Sequence, residues 1–479
     1  MSNRLDQPGD TDAGSDDHAR TRARDVARSE GVSNLQALQR VLYRSAKQDP
    51  TRRFHALYDK LTRSDVMWQA WINVATNQGA PGVDGVSIDS IEAGGMEGVT
   101  SFLDELAAEV RDETYRPQPL RRVHIPKAGK PGESRPLGIP ALRDRVLMSA
   151  AKLVLEPIFE ADFSPNSFGF RPKRSAHGAL DAIRKSASSG AHWVLDADIK
   201  SCFDSVPWDL MIKAVAHHTD ERWVLLYIER WLRAPMQMAD GTLREREKGT
   251  PQGSPVSPVL ANLFMHYAFD TWLVREYPGC PFERYADDAV IHCATERQAR
   301  HLLADLAERL RSVGLELHPD KTKIVYCQDA NRRGEAEHTS FDYLGYTFRG
   351  RQAKGKHGYF VNFSPAMSAK AQKAIGQTVR GWHLRRRSGS DLSRLAEDIN
   401  PQIRGWINYY GAFYRSELNF LVRRINAHLI RWAMHKFKRL KAKPTRAWAW
   451  LNAVIQREPR LFAHWWLAST PNGRPVGAG

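Results

Sequence analysis

Between residues 34 and 75, apolar side chains recur at helical spacing. Leu35, Leu38, Val41 and Leu42 form one stripe, and Leu57, Leu61, Val66 and Trp68 a less regular one. A turn-rich stretch follows, Asn77 to Ser87 (NQGAPGVDGVS), whose Gly and Pro no helix contains. Phe102, Leu103, Leu106 and Val110 then share one face of another amphipathic helix. From about Tyr115 to Phe348 short strand patterns alternate with helical ones. Strands are predicted at 192–199, 288–293 and 323–327, and helices at 141–158, 207–219, 222–233, 259–274 and 296–313. That mixture predicts an α+β fold with a small antiparallel sheet. Beyond about Ser364 the strand signals stop. Leu421, Ile425, Leu429 and Trp432 make an apolar helical stripe, while Arg424, Arg431 and Lys438 recur every seven residues on another face. Residues 1–33 carry almost no large apolar side chain and are predicted to be a disordered tail.

Composition bounds this picture. A chain of 479 residues is long enough for two or three packed units. It has no run of 18 apolar residues and no apolar N-terminal stretch, so neither a membrane span nor a signal peptide is expected, and a cytoplasmic location is. Cys202, Cys280, Cys293 and Cys327 are far apart in sequence and suggest neither a disulfide framework nor a cysteine-rich zinc site.

Charge adds more. The formal net charge is +16, with 70 Lys+Arg against 54 Asp+Glu. Residues 351–479 hold 24 Lys+Arg and 5 Asp+Glu, a net of +19, so the first 350 residues hold 46 and 49, a net of −3. So uneven a distribution repels itself unless a polyanion relieves it, which points to nucleic acid.

Two segments carry candidate chemistry. RYADDAVIHC (284–293) places adjacent carboxylates, Asp287 and Asp288, before an alternating apolar strand, the pattern of a β-hairpin tip. VLDADIKSCFDSV (194–206) is an apolar strand ending in Asp196 and Asp198. Joining a 3′-hydroxyl to an α-phosphate requires activating the hydroxyl and neutralising charge on the attacking and leaving oxygens. Two Mg²⁺ ions about 3.5–4 Å apart do both. Mg²⁺ takes carboxylate and phosphate oxygens and keeps waters, so two or three strand-end Asp side chains suffice. One Asp-Asp pair alone reads as a solvated turn; the pair together with a strand-terminal Asp is far more specific.

From about Asn77 to Trp465 the chain resembles a bacterial group II intron reverse transcriptase/maturase, motif after motif in one order. IPKAGKPGESRPLGIP (125–140) resembles the family's first fingers motif and FSPNSFGFRPKRSAHGAL (163–180) the second. ADIKSCFDSV, GTPQGSPVSPVLANLF (249–264) and YADD resemble the third to fifth. LELHPDKTKI (315–324) and FDYLGYTF (341–348) resemble the sixth and seventh, and INPQIRGWINYYG (399–411) the maturase-specific thumb signature. NQGAPGVDG resembles an extra motif that helps close over the template.

The resemblance implies a right-hand polymerase: fingers and palm built of a small antiparallel sheet plus helices, then an α-helical thumb/maturase domain. Its boundaries would be a tail at 1–33, a helical extension at 34–114, fingers and palm at 115–360, a basic thumb at 361–466 and a tail at 467–479. Asp198, Asp287 and Asp288 would be the catalytic metal ligands, with the carbonyl of Ile199 completing a shell of two Mg²⁺ ions, for which Mn²⁺ would be a substitute. Phe203 would be the wall beneath the incoming sugar that disfavours a 2′-hydroxyl. Gln252 would contact the nascent pair. Lys127, Arg135 and Arg171 would clamp the triphosphate. Leu344, Gly345 and Tyr346 would form the primer grip, and Lys321 would aid pyrophosphate departure.

Arg424, Arg431 and Lys438 would track phosphates of a template–primer duplex or of group II intron RNA, while most of the seven thumb Trp residues anchor the core. The implied partners are an RNA template, a DNA primer, dNTPs and intron RNA, with no membrane. No clustered Cys and His suggest an HNH nuclease, so priming from elsewhere, such as a replication fork, is expected. Three readings stay open: a polymerase that is also a maturase, a reverse transcriptase recruited to another role such as phage defence, and a splicing-only RNA binder.

Overall fold

The computed structural model describes residues 33–126, 132, 134–188, 192–332, 334–355 and 358–469. The expected tail at 1–33 lies outside them but for its last residue, and Lys127 lies outside them altogether. Two compact units interleave along the chain. One comprises the described residues of 1–123, 136–163 and 203–267; the other comprises those of 124–135, 164–202 and 268–479.

In the first unit the apolar stripes fold as the spacing demands. The stretch at 34–75 divides into helices at 33–48, Tyr58–Leu61 and Ser64–Thr76, the last packing on the helix Leu142–Asp162. Asp144, buried on that helix, accepts from the Tyr115 hydroxyl at 2.7 Å and the Gln118 amide at 3.0 Å. Burial raises its pKa to about 6. Strands β1 (Leu120–Pro126), β2 (Ser134–Ile139), β4 (Met236–Gln237) and β5 (Leu243–Arg244) form a sheet in the order β2-β1-β4-β5, with β1 and β4 parallel.

The second unit holds the expected antiparallel sheet. Its order is β6-β7-β3-β8: Phe282–Tyr285, Asp288–Cys293, Trp193–Asp198 and Lys323–Tyr326. Alternation sends Val194, Val290 and Val325 to one face, where they pack on Leu180 and Ile183 of the helix Ala176–Ser188. The helix Glu296–Ser312 covers the other face. All four cysteines are buried.

Three sequence expectations are revised. The helix expected at 259–274 is Ser257–Met265 followed by a π-turn, His266–Asp270, and a short helix, Thr271–Glu276. Strand structure ends at Met367, close to the expected stop near Ser364, but the strands that precede it are additional to those predicted. β9 (Phe341–Tyr343), β10 (Tyr346–Gly355) and β11 (Gly358–Met367) form a meander that crosses the expected 360/361 boundary. Lys438 does not continue the face of Arg424 and Arg431, because the helix Asn419–Lys436 ends before it and a 3₁₀ turn, Lys438–Leu440, redirects the chain.

The helices Ala369–Gly381, Leu392–Tyr410, Asn419–Lys436 and Pro444–Arg457 enclose a core that includes Leu421, Ile425, Leu429, Trp432 and Trp465. Trp382, Trp406, Trp448 and Trp450 pack against that core, whereas Trp466 is exposed.

Candidate active site

β3 and β7 pair antiparallel with Asp198 directly opposite Asp288. Directly paired residues in such a ladder have Cβ atoms about 4.5–5.5 Å apart, and like charges there repel. Asp287 is in the two-residue turn between β6 and β7, where Ala286 takes a left-handed φ of 59°. Burial, then Asp287 and Asp198, push the Asp288 carboxyl up to about 7. Burial and Asp198 also raise Asp287, against the pull of Arg135 and Lys321. Two rungs inward on the same face, Asp196 is raised to about 7 by burial, though Lys323 is 3.9 Å away. The Lys321 ammonium donates to both Asp198 oxygens, at 3.1 and 3.3 Å.

This arrangement suits divalent cations. Desolvated, mutually repelling carboxylates gain from positive charge between them. Among the described residues no three Asp, Glu, His or Cys side chains group tightly enough to hold a metal by themselves. That is ordinary for Mg²⁺ held by one or two carboxylates plus substrate phosphates.

Three surroundings fix the carboxylates. The first is the 316–322 segment. Ile199 forms a bridge with Leu317, the Lys200 amide donates to Glu316 O at 2.9 Å, and the His318 amide donates to Asp198 O at 2.8 Å. The second is Arg284, fully buried, whose guanidinium donates twice to Asp270, at 2.7 Å each, and once to Ala286 O at 2.8 Å. The π-turn delivers Asp270 to this bond. The third is the 164–171 loop. Phe168 N donates to Arg284 O at 2.8 Å, and a Cβ on Gly169 would come within 2.5 Å of the Ala286 nitrogen. This second fingers motif therefore packs on the carboxylate turn itself. Arg171 is 7% exposed and donates to the carbonyls of Ser164 and Ser167. Its guanidinium braces this loop, which was not apparent from its place in the motif.

Leu344 and Gly345 have φ of 50° and 78° and join β9 to β10, with Tyr343 paired to Tyr346, the signature of a two-residue type I′ hairpin. Tyr409 of the thumb signature donates to Leu344 O at 2.8 Å, and Tyr346 donates to Tyr409 O. Tyr343 OH donates to Asp288 O at 3.4 Å, tying this turn to β7.

In the other unit, the Gly249–Ser254 loop lies along the segment that begins with Phe203. Gly249 N donates to Val206 O at 2.8 Å and Thr250 N to Phe203 O at 2.6 Å; Gln252 Nε2 reaches Asp204 Oδ2 at 3.4 Å. Gly249 (φ 82°) is required here, since a Cβ would meet the Asp204 backbone at 2.7 Å. Gly138 N donates to Gln252 O at 2.9 Å, holding the loop from its other side. The structure thus brings Phe203 and Gln252 together.

The thumb helices present a cationic cleft of about 830 Å³ lined by Arg380, Arg423, Arg424, His428 and Arg431. Its carboxylate, Glu417, is engaged by Arg351 at 3.4 Å and by Gln372 at 3.3 Å. Arg424 is only half-exposed and packs on Gly376 and on the Phe420 ring.

Residues 125–348 match the family model "Reverse transcriptase (RNA-dependent DNA polymerase)", and residues 372–450 match "Group II intron, maturase-specific domain". Protein YkfC of Escherichia coli (strain K12) is 31% identical over 334 residues, 62% of this chain and 86% of that one. The chain belongs to the group II intron reverse transcriptase/maturase family. Within that family, group II intron-encoded protein LtrA of Lactococcus lactis subsp. cremoris is 34% identical over 213 residues, 44% of this chain and 34% of that one. The putative COX1/OXI3 intron 1 protein of Saccharomyces cerevisiae is 30% identical over 359 residues, 64% and 39% of the two chains. The chain therefore spans most of YkfC but about a third of LtrA. Members of this family use divalent metal ions and bind RNA. No described helix is long and apolar enough to cross a membrane.

Proposed function

We propose that this family member copies an RNA template into DNA from a DNA primer and dNTPs, with Asp198, Asp287 and Asp288 as its metal-binding catalytic residues. The observation that carries the reading is the direct pairing of Asp198 with Asp288 beside the Asp287 turn, which gathers three carboxylates, the last two desolvated, at the ends of adjacent strands. Mg²⁺, when bound there with the Ile199 carbonyl as a further ligand, lowers the pKa of the primer hydroxyl and offsets charge on the leaving oxygens. Lys321, paired to Asp198, would be near enough to the metal-binding carboxylates to give a proton to the departing pyrophosphate. Arg135 and Lys127 hold the triphosphate, Phe203 walls the sugar, Gln252 meets the nascent pair, and the Leu344-Gly345-Tyr346 turn carries the primer end. The basic thumb binds group II intron RNA and assists splicing; Arg380, Arg423 and Arg431 supply the accessible charge, with Lys438 on the turn beyond.

The test is primer extension on an annealed RNA template with Mg²⁺. Asp287→Ala should abolish extension while leaving RNA binding near wild type. Retention of more than a small residue of activity would remove Asp287 from the site.

A further inference from the structure

The far end of the β10–β11 hairpin is an aromatic surface that the polymerase reading leaves unused. Tyr359, Phe360 and Val361 are 70%, 45% and 40% exposed, a run of three adjacent large apolar side chains in water found nowhere else among the described residues. Exposed apolar patches of this kind mark interaction sites. The register pairs Lys354 with Tyr359, Ala353 with Phe360 and Gln352 with Val361. The pleat therefore puts Tyr359 and Val361 on one face with Lys354, and Phe360 on the other with Arg349 and Arg351. The Lys354 ammonium stands 6.0 Å from the Tyr359 ring centroid. Arg351 is spent lower down, on Glu417 at 3.4 Å and over the Tyr414 ring, while Tyr414 OH donates to Gln352 O at 2.7 Å. The hairpin is thus anchored below its tip, and each exposed ring has an exposed cation, Lys354 or Arg349, on its own face.

Charge selects the occupant. From Tyr343 to Ser390 there are ten Lys+Arg and no Asp or Glu. A patch of rings in a wholly cationic stretch suits a polyanion that also offers flat apolar faces. Single-stranded nucleic acid does so, because its bases are unpaired and free to stack while its phosphates meet the cations. A duplex offers phosphates but hides its base faces. We propose that the hairpin tip binds an unpaired segment of RNA, with bases stacked on Tyr359 and Phe360, Lys354 beside the first ring and Arg349 four residues down the strand from the rung of the second, where a neighbouring phosphate would reach it. The proposal rests on the family's RNA binding, not on polymerisation. The eight residue steps from Tyr346 to Lys354 at about 3.3 Å each carry the tip roughly 26 Å from the primer-grip turn. The catalytic steps should not depend on it.

Fluorescence anisotropy at one fixed salt concentration tests this with two labelled probes, an unstructured oligoribonucleotide and a blunt RNA duplex of equal phosphate number. The double variant Tyr359→Ala/Phe360→Ala should weaken single-strand binding by roughly ten-fold or more, the scale of one or two lost base stacks. Duplex binding should stay near wild type, and Tyr359→Trp/Phe360→Trp should restore the single-strand affinity. Unchanged single-strand binding, as for a protein-docking patch, overturns the proposal. So does equal loss on both probes, or failure of the Trp pair to restore binding. A single-stranded DNA probe bound as tightly as the RNA overturns its restriction to RNA. Binding needs no catalysis, so Asp287→Ala protein must bind the oligoribonucleotide like wild type. Absent extension in the wild type would sink the polymerase reading and leave this one standing.

Discussion

Phe203 shows what a single ring can decide. Its residue is held by the Thr250 amide at 2.6 Å, in a loop that Gly249 and Gln252 also fasten. A ring set on so constrained a backbone has little freedom to withdraw from a 2′-hydroxyl. Phe203→Val should therefore raise the ratio of rNTP to dNTP incorporation, measured as relative kcat/KM for the two nucleotides. A discrimination of ten-fold corresponds to about 1.4 kcal/mol, within what one steric contact supplies. An unchanged ratio in a folded variant would reduce Phe203 to packing. The candidate residues of the other unit were unevenly legible. The placing of Asp198, Asp287 and Asp288 at strand ends could be read because Asp198 ends one apolar strand and Asp288 begins another, with Asp287 just before it. Arg284 and Gly169 could not, since their roles depend on Asp270, fourteen residues upstream of Arg284, and on the Ala286 backbone. The Gly between two Phe in the FGF of the second fingers motif was the available signal. The bracing by Arg171 was hidden for the same reason: sequence shows a cation, and only the fold shows the carbonyls to which it donates.

At the scale of elements, long periodic helices and the central strands emerged close to where the pattern put them. The π-turn and the β10–β11 hairpin did not. A one-residue insertion in a helix leaves the apolar spacing nearly intact, and β11 (GYFVNFSPAM) lacks a clean alternation and carries Pro365. Burial of polar groups was equally hidden. The helix Asn419–Lys436 contributes Asn426, whose Oδ1 lies 2.8 Å from His464 Nε2 and accepts from Trp465 Nε1 at 3.0 Å. Full burial pushes the His464 pKa down to about 3 from 6.5. A depressed histidine contributes stability that is present above pH 6.5 and is lost as pH falls through that value toward 3, because the unfolded chain takes up the proton first. His218, pushed down to about 4 by burial, acts in the same direction. Each can steepen acid destabilisation by up to about 1.4 kcal/mol per pH unit. His464→Gln keeps a donor for Asn426 but removes the titration. Its Tm should be lower than wild type at pH 7 and should fall less between pH 6.5 and pH 4. Parallel Tm curves would place the acid sensitivity elsewhere.

Across the whole molecule the decisive feature is the division of charge, +19 in residues 351–479 against −3 before them. That much was legible without a structure, but which cations face solvent was not. A seven-residue repeat joins Arg424, Arg431 and Lys438 in sequence. In the fold Arg424 is half-buried against Gly376, and Lys438 stands on a separate turn. Arg380, Arg423 and Arg431 are the exposed arginines of the cleft, where burial and the neighbouring arginines lower the pKa of His428. Neutralising phosphates releases counterions, and each contact contributes about −0.9 to the slope of log affinity against log salt on duplex DNA, or about −0.7 on single strands. Replacing Arg380, Arg423 and Arg431 together by Gln should weaken nucleic-acid binding and flatten that slope by roughly two to three units. Lys438→Gln should change it by no more than one contact's worth, and Asp198→Ala should leave it alone. A triple variant with the wild-type slope would mean that the thumb meets phosphates through another surface. Structured intron RNA, compared with a plain RNA–DNA hybrid, then separates two roles. Greater loss on the intron RNA favours a splicing cleft. Equal loss on both makes the cleft a general duplex clamp, because a surface that reads only phosphate spacing cannot tell one helix from the other.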